Sequence, residues 1–185
     1  MAHGVKIIKN KGRGESVGNL VDKILARLYG AFPSLVKRYA KKADILTFTE
    51  TPFTSPSTPL EKARVALITT GGVHLKSQTP FDMEDRSGDP SYREIPADTS
   101  FDELLVTHDY YDNRDAKRDP GVVFPLDALK DLAAEGVVGS VNGRHFSFMG
   151  HITGEHLKTL MEGTAPEVAR FLREDGVDAV VLAPA

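Results

Sequence analysis

The sequence predicts an α/β domain: a mainly parallel sheet with helices on both faces, in three αβα layers, preceded by an N-terminal helical segment. Three observations lead there. Continuous apolar runs at residues 65–68 and 177–182 suit strands covered on both faces. Amphipathic stretches of helical period alternate with such runs, as right-handed βαβ crossovers require. A Pro-rich segment of almost no charge, residues 49–60, separates this body from what comes before it.

Residues 1–16 hold four basic side chains and three glycines with little apolar periodicity, and read as a flexible arm. Residues 17–60 read as a helical preface and connector. Leu20, Val21, Ile24, Leu25, Leu28 and Tyr29 share one helical face that closes at Gly30, and a second helix starts near Pro33 and ends at Lys41 and Lys42. The body, residues 61–185, opens on a strand and the turn Thr69-Thr70-Gly71-Gly72. Residues 76–98 read as a long polar loop, of a length that is functional or mobile. A short strand over 104–107 follows. The next helix places Leu126, Leu129, Leu132 and Ala133 on its buried face, with Gly136 as the residue that ends it. Residues 144–151 give another short strand with a glycine exit. Thr164 and Glu167 form a capping-box pattern ahead of a helix carrying Val168, Phe171 and Leu172, and residues 177–182 make a closing buried strand.

Bulk properties narrow the function. A net charge of -3 argues against a nucleic-acid or anionic-membrane binder. No apolar run approaches the length of a membrane span and no signal peptide is evident, so a cytoplasmic protein is expected. The 185 residues contain no cysteine, which removes disulfides, thiolate metal sites and any cysteine nucleophile from the chain.

In an open α/β sheet, chemistry gathers beyond the carboxyl ends of the strands. That rim collects Thr69, Thr70, Gly71, Gly72 and His74 after the first strand, and His108 and Asp109 after the second. His145, Gly150 and His151 come from the third, and Ala185 from the last. The Thr-Thr-Gly-Gly turn is either a cradle of backbone N–H groups for a substrate carboxylate or a tight turn with no ligand. His108 and its neighbouring aspartates are either an acid/base or divalent-metal cluster or a solvated loop paired with Arg114, Lys117 and Arg118. No nucleophile elbow or HExxH is present, and no metal site is expected.

Three stretches taken in order, RVALITTGGVHLKSQTPFD, THDYYDNRDAKRDPGVVFPLDALKDLAAEGVVGSVNGRHFSFMGHI and DGVDAVVLAPA, resemble the selenoprotein B family of glycine, betaine, sarcosine and D-proline reductases. The likeness runs from Arg64 to Ala185. It implies reductive cleavage of a C–N bond in an amino acid or its N-methyl derivative. Electrons would come from a dithiol, in cells a thioredoxin-like donor. Other reductase subunits would be partners, one of them carrying a pyruvoyl group. The family's nucleophile is a selenocysteine or cysteine directly after a strand resembling VDAVVLAPA. Nothing in this chain replaces it, so the resemblance implies a domain incomplete at its C-terminus, ended where a UGA selenocysteine codon is read as stop. Rim position and residue chemistry, with no match to the family's catalytic residues, make Thr70, Gly71 and Gly72 the candidates for holding the substrate carboxylate, with Thr69, His74 and Asp109 beside them, and His108 and His145 the candidates for donating protons or orienting groups. The chain itself carries no other cofactor. The rival readings are a non-catalytic carboxylate-binding subunit and a metal-assisted hydrolase or lyase built on His108.

Overall fold

The computed structural model describes residues 53–185. The expected arm over 1–16 and the two helices of the preface lie outside the described residues.

Residues 56–185 form one compact unit. It is built from β1 (Arg64–Thr69), β2 (Val73–Leu75), β3 (Arg93–Pro96), β4 (Leu104–Val106), α1 (Arg114–Arg118) and α2 (Leu126–Ala134). These are followed by β5 (Ser140–Val141), β6 (Arg144–Ser147), α3 (Gly154–Thr159), α4 (Ala165–Glu174) and β7 (Ala179–Ala183). β1 is the centre of the sheet. It pairs in parallel with β7 along one edge, and on the other with β5 at its start and β6 at its end. β3 adds antiparallel to β6. The sheet is therefore mixed, and part of the expected long loop over 76–98 is its edge strand β3.

The apolar run of β1 is explained by cover on both faces. Val65 and Leu67 enter one core cluster with Val73, Ile95, Phe124, Leu126 and Leu129, so α2 covers that face. Ala66 and Ile68 turn the other way, to Phe146, Phe148, Val168 and Leu172, which brings in α4. An α/β domain with helices on both faces follows from that alternation.

Four expectations are corrected. The strand over 104–107 lies outside the main sheet: β4 pairs antiparallel with β2, with His74 opposite Leu105. Leu132 is exposed, because it falls off the stripe that Leu126, Leu129 and Ala133 present to the core. Thr164 caps nothing. The chain is already helical before it, through α3 and a π-turn at Leu160–Thr164, and its hydroxyl donates to the Pro90 carbonyl at 2.8 Å. Finally, β7 is an edge strand rather than a buried one, with Leu182 69% exposed, since among the described residues it pairs with β1 alone.

One buried defect is repaired by a side chain. Between β5 and β6 the chain bulges at Asn142 and Gly143, and the strand alongside β1 loses its regular ladder. The Leu67 N–H, which faces that gap, donates instead to Nδ1 of His145 at 3.0 Å. Arg144 fastens the bulge from outside. Its guanidinium makes a two-pronged pair with Asp175 just past α4, at 2.7 and 2.8 Å, and Asn142 donates to the same carboxylate at 3.0 Å.

His145 should therefore be replaceable only by a residue that accepts at the same place. Asn, whose Oδ1 mimics Nδ1, should retain most of the stability. Leu should lose about 1–3 kcal/mol more than Asn, the cost of an orphaned buried N–H, as read by urea denaturation of both variants.

Candidate functional site

The carboxyl ends of β1, β6 and β7 meet where β4 also ends. β1 exits into Thr70, Gly71 and Gly72. Gly72 has φ +70° and lies so close to the next layer that a Cβ would sit 2.4 Å from the Thr107 carbonyl. Both facts demand glycine. The turn is knitted into the fold by its own donors. Thr70 N–H donates to the Ala183 carbonyl at 3.2 Å and Gly72 N–H to the Phe148 carbonyl at 2.9 Å. Gly71 N–H is taken by Thr69 Oγ1, also at 2.9 Å. The three N–H groups of the expected anion cradle are thus engaged internally, and so are the Gly71 and Gly72 carbonyls, taken by the Tyr111 hydroxyl and the Thr107 N–H. The turn is left with the Thr70 carbonyl and the half-buried Thr70 hydroxyl, which accepts from Ala185 N–H at 3.1 Å.

His108 locks this turn to the other exits. Its ring is 2% exposed, and Nε2 accepts from Gly150 N–H at 2.9 Å. The Tyr110 N–H points at Nδ1 from 3.2 Å. A neutral imidazole accepts at one nitrogen only; with Nε2 taken by Gly150 the ring proton sits on Nδ1, and a second proton on Nε2 would break the Gly150 bond. Burial is the main cause that pushes its ionisation down to about 4, with the nearby His151 adding to the effect and Asp109 opposing it. Tyr111 packs edge-on against the His108 ring at 4.7 Å and donates its hydroxyl to the Gly71 carbonyl at 3.1 Å. Asn113 donates to the His108 carbonyl.

The closest convergence is at Gly150, which is exposed. A Cβ there would lie 3.2 Å from the Ala185 carbonyl oxygen and 3.3 Å from both His108 Nε2 and the Thr70 carbonyl oxygen. Next to it, His151 stacks on Tyr110 at 3.9 Å.

The structure thus brings Thr70, Gly71, Gly72, His108 and Ala185 together, with Asp109 half-buried beside His108. It sets the other sequence candidates deeper. Thr69 is buried beneath the turn. His74 is buried in the β2–β4 layer, where Nδ1 donates to the Leu75 carbonyl at 2.9 Å and Nε2 pairs with the Thr107 hydroxyl at 2.8 Å. His145 lies in the core against Phe124, its ionisation also pushed down to about 4 by burial. Gly150 was expected on the rim without a role, and Tyr111 and Asn113 were not singled out as site residues by sequence reasoning. Only a placement of the loop after β6 against the loop after β4 reveals them. Among the described residues, no group of three or more His, Cys, Asp or Glu side chains is arranged to hold a metal ion. No described helix is long and apolar enough to cross a membrane.

The sequence profile described as glycine/sarcosine/betaine reductase selenoprotein B matches residues 13–185. The chain is 41% identical over 135 residues to the D-proline reductase subunit gamma of Acetoanaerobium sticklandii, covering 72% of this chain and 54% of that protein. It is 33% identical over 130 residues to the sarcosine reductase complex component B subunit beta of Peptoclostridium acidaminophilum, covering 66% of this chain and 28% of that one. Identity to the glycine reductase complex component B subunit gamma of Carboxydothermus hydrogenoformans is 28%, over 88% of this chain and 36% of the other. The chain spans between about a quarter and about half of the length of these relatives. No solved structure matches it.

Two measurements check the site's geometry. Gly72→Ala, strained in φ and colliding with the Thr107 carbonyl, should cost about 2–3 kcal/mol or prevent folding. The second concerns pH. His108 and His145 titrate near 4 when folded and near 6.5 when unfolded, so between those values the unfolded chain binds more protons. Stability is full above pH 6.5 and falls as pH drops towards 4, by on the order of 3 kcal/mol for each ring. In His108→Asn the slope of unfolding free energy against pH across this window should flatten by about one proton.

Proposed function

Since the chain belongs to the glycine/sarcosine/betaine reductase selenoprotein B family, we propose that it forms the substrate-holding rim of a reductase that cleaves a C–N bond in an amino acid or its N-methyl derivative. The observation that carries this reading is the convergence at Gly150, where the exits of β1, β6 and β7 and the His108 ring meet at an open surface. Relatives named as subunits of D-proline reductase and as components of sarcosine and glycine reductase complexes support other reductase subunits as partners.

The rim residues divide the work by their chemistry. Carbonyl oxygens of Thr70 and Ala185 face the gap beside Gly150. They are acceptors, and they suit the nitrogen end of an amino-acid substrate. The Thr70 hydroxyl, which uses a lone pair to accept from Ala185 N–H, keeps its proton to donate to the substrate carboxylate. His108, neutral at pH 7, orients: it holds the Gly150 loop against the Thr70–Gly72 turn instead of delivering a proton. His145 orients one level deeper, through β1.

With no cysteine in these 185 residues, the nucleophile has to come from outside them. Because the chain spans about half or less of the length of its relatives, our reading assigns it to a selenocysteine or cysteine of the reductase outside these residues. When present, that group supplies the selenolate or thiolate that attacks carbon, with a dithiol of the thioredoxin type restoring it and a pyruvoyl-bearing partner engaging the amine. A cytoplasmic setting, where dithiol donors are maintained, fits that chemistry. The absence of a thiol also favours a second reading, a non-catalytic carboxylate-binding subunit.

Reading the gene beyond Ala185 and assaying the product with its partner subunits and dithiothreitol separates the two. The reductase reading expects amine release or ring opening from one of glycine, sarcosine, betaine or D-proline, and incorporated selenium by mass spectrometry. Ligand binding without turnover would leave the module. The 185-residue chain alone should reduce none of these substrates. In the active complex, Thr70→Val should lower kcat/KM about 10- to 100-fold, the loss of one hydrogen bond to a charged group.

A further inference from the structure

Two polar atoms in the core have no partner among the described residues, His145 Nε2 and Ser147 Oγ, and both residues are 0% exposed. Native interiors rarely leave such groups unpaired. The His145 tautomer is fixed by its other nitrogen: Nδ1 accepts from Leu67 N–H, so the ring proton sits on Nε2 and Nε2 is a donor without an acceptor. Ser147 is two residues along the same strand, on the same face.

We propose that a buried water molecule is a permanent part of this fold, accepting from His145 Nε2–H and hydrogen-bonded to Ser147 Oγ. Residues i and i+2 of a strand stand roughly 6.6 Å apart at the backbone, and one water with two bonds of about 2.8 Å joins polar atoms up to about 5.6 Å apart, so the two side chains share it by leaning towards each other. A third polar neighbour is at hand. Thr69, buried and directly opposite Ser147 in the parallel register, brings its hydroxyl to the same level, and a buried water with about three partners is the usual case. The ring beside the site is neutral, its ionisation pushed down to about 4 by burial with Lys130 adding to the effect, and a neutral molecule suits it. Thr69 Oγ1 also takes the Gly71 N–H, so the water extends one network from the repaired bulge to the base of the rim turn. The inference stands independently of the reaction.

A high-resolution crystal structure of the full chain should show an ordered solvent peak within hydrogen-bonding distance of both atoms. A dry gap, or a direct bond from either atom to another protein group, would overturn the proposal. Thermal unfolding of Ser147→Ala gives a second readout. Loss of a bridged hydroxyl should lower the midpoint by about 2–4 °C. An unchanged or raised midpoint is the result expected of a hydroxyl that had no partner, and it would sink the idea.

Discussion

The hydrogen bond from Leu67 N–H to His145 Nδ1 is the constraint on which the remaining architecture depends. β1 is paired along both edges, as β6 is, and both core clusters are anchored on its alternating side chains. A bulge in the strand beside it would normally strand a donor in the driest part of the protein. The imidazole closes that gap without restoring the ladder, so β6 can change its path and still pair with β1 at Ile68 and Thr69. That displaced path is what carries Phe148, Met149 and Gly150 out beside the Thr70–Gly72 turn. The geometry of the rim is thus set several residues below it.

At the rim itself, the distribution of donors decides what can bind. A glycine-rich turn after a strand suggests free backbone N–H groups, yet here they are spent on Ala183, Thr69 and Phe148. What is left pointing outward is mostly acceptor. The same bookkeeping explains His108. A ring whose Nε2 is taken by a backbone donor is a better acceptor than an acid, and burial reinforces this by penalising the charged form.

Much of this was legible in the sequence, for reasons that can be named. The unbroken apolar run of β1 announced a strand with two covered faces. The Leu126–Leu129–Ala133 spacing announced α2, and Gly136, with φ +74°, ended it. What escaped were features that depend on partners far away in the chain. The residues of β3, Arg-Glu-Ile-Pro, bury only Ile95 and show no run of their own. β4 has a strand's composition, but composition does not say which sheet it joins. Thr164 carries a capping pattern that the preceding helical turn makes redundant, and its hydroxyl is spent on Pro90. Of the site histidines expected at the rim by position, His108 is there, while His74 and His145 lie deeper. Their roles depend on which backbone N–H each nitrogen meets, which no spacing rule encodes.

The segment over 82–91 completes the argument, because it converts a long polar stretch into a strap that holds the rim in one arrangement. Its backbone carbonyls are bound from the far side: His151 Nε2 donates to Arg86 at 3.0 Å, Thr153 N–H to Ser87 at 2.8 Å, and Thr164 Oγ1 to Pro90 at 2.8 Å. Asp85 pairs with His156 at 2.8 Å, and the Asp89 N–H meets the Met149 sulfur at 2.9 Å. Gly88, at φ +87°, passes so near the His151 carbonyl that no side chain fits. These contacts fall on both sides of Gly150, on Met149 and on His151 and Thr153. The residue where three exits meet is therefore fixed from His108 on one side and from the strap on the other. A rim held this way is ordered on folding, so its ordering entropy is not left to be met by anything that binds there.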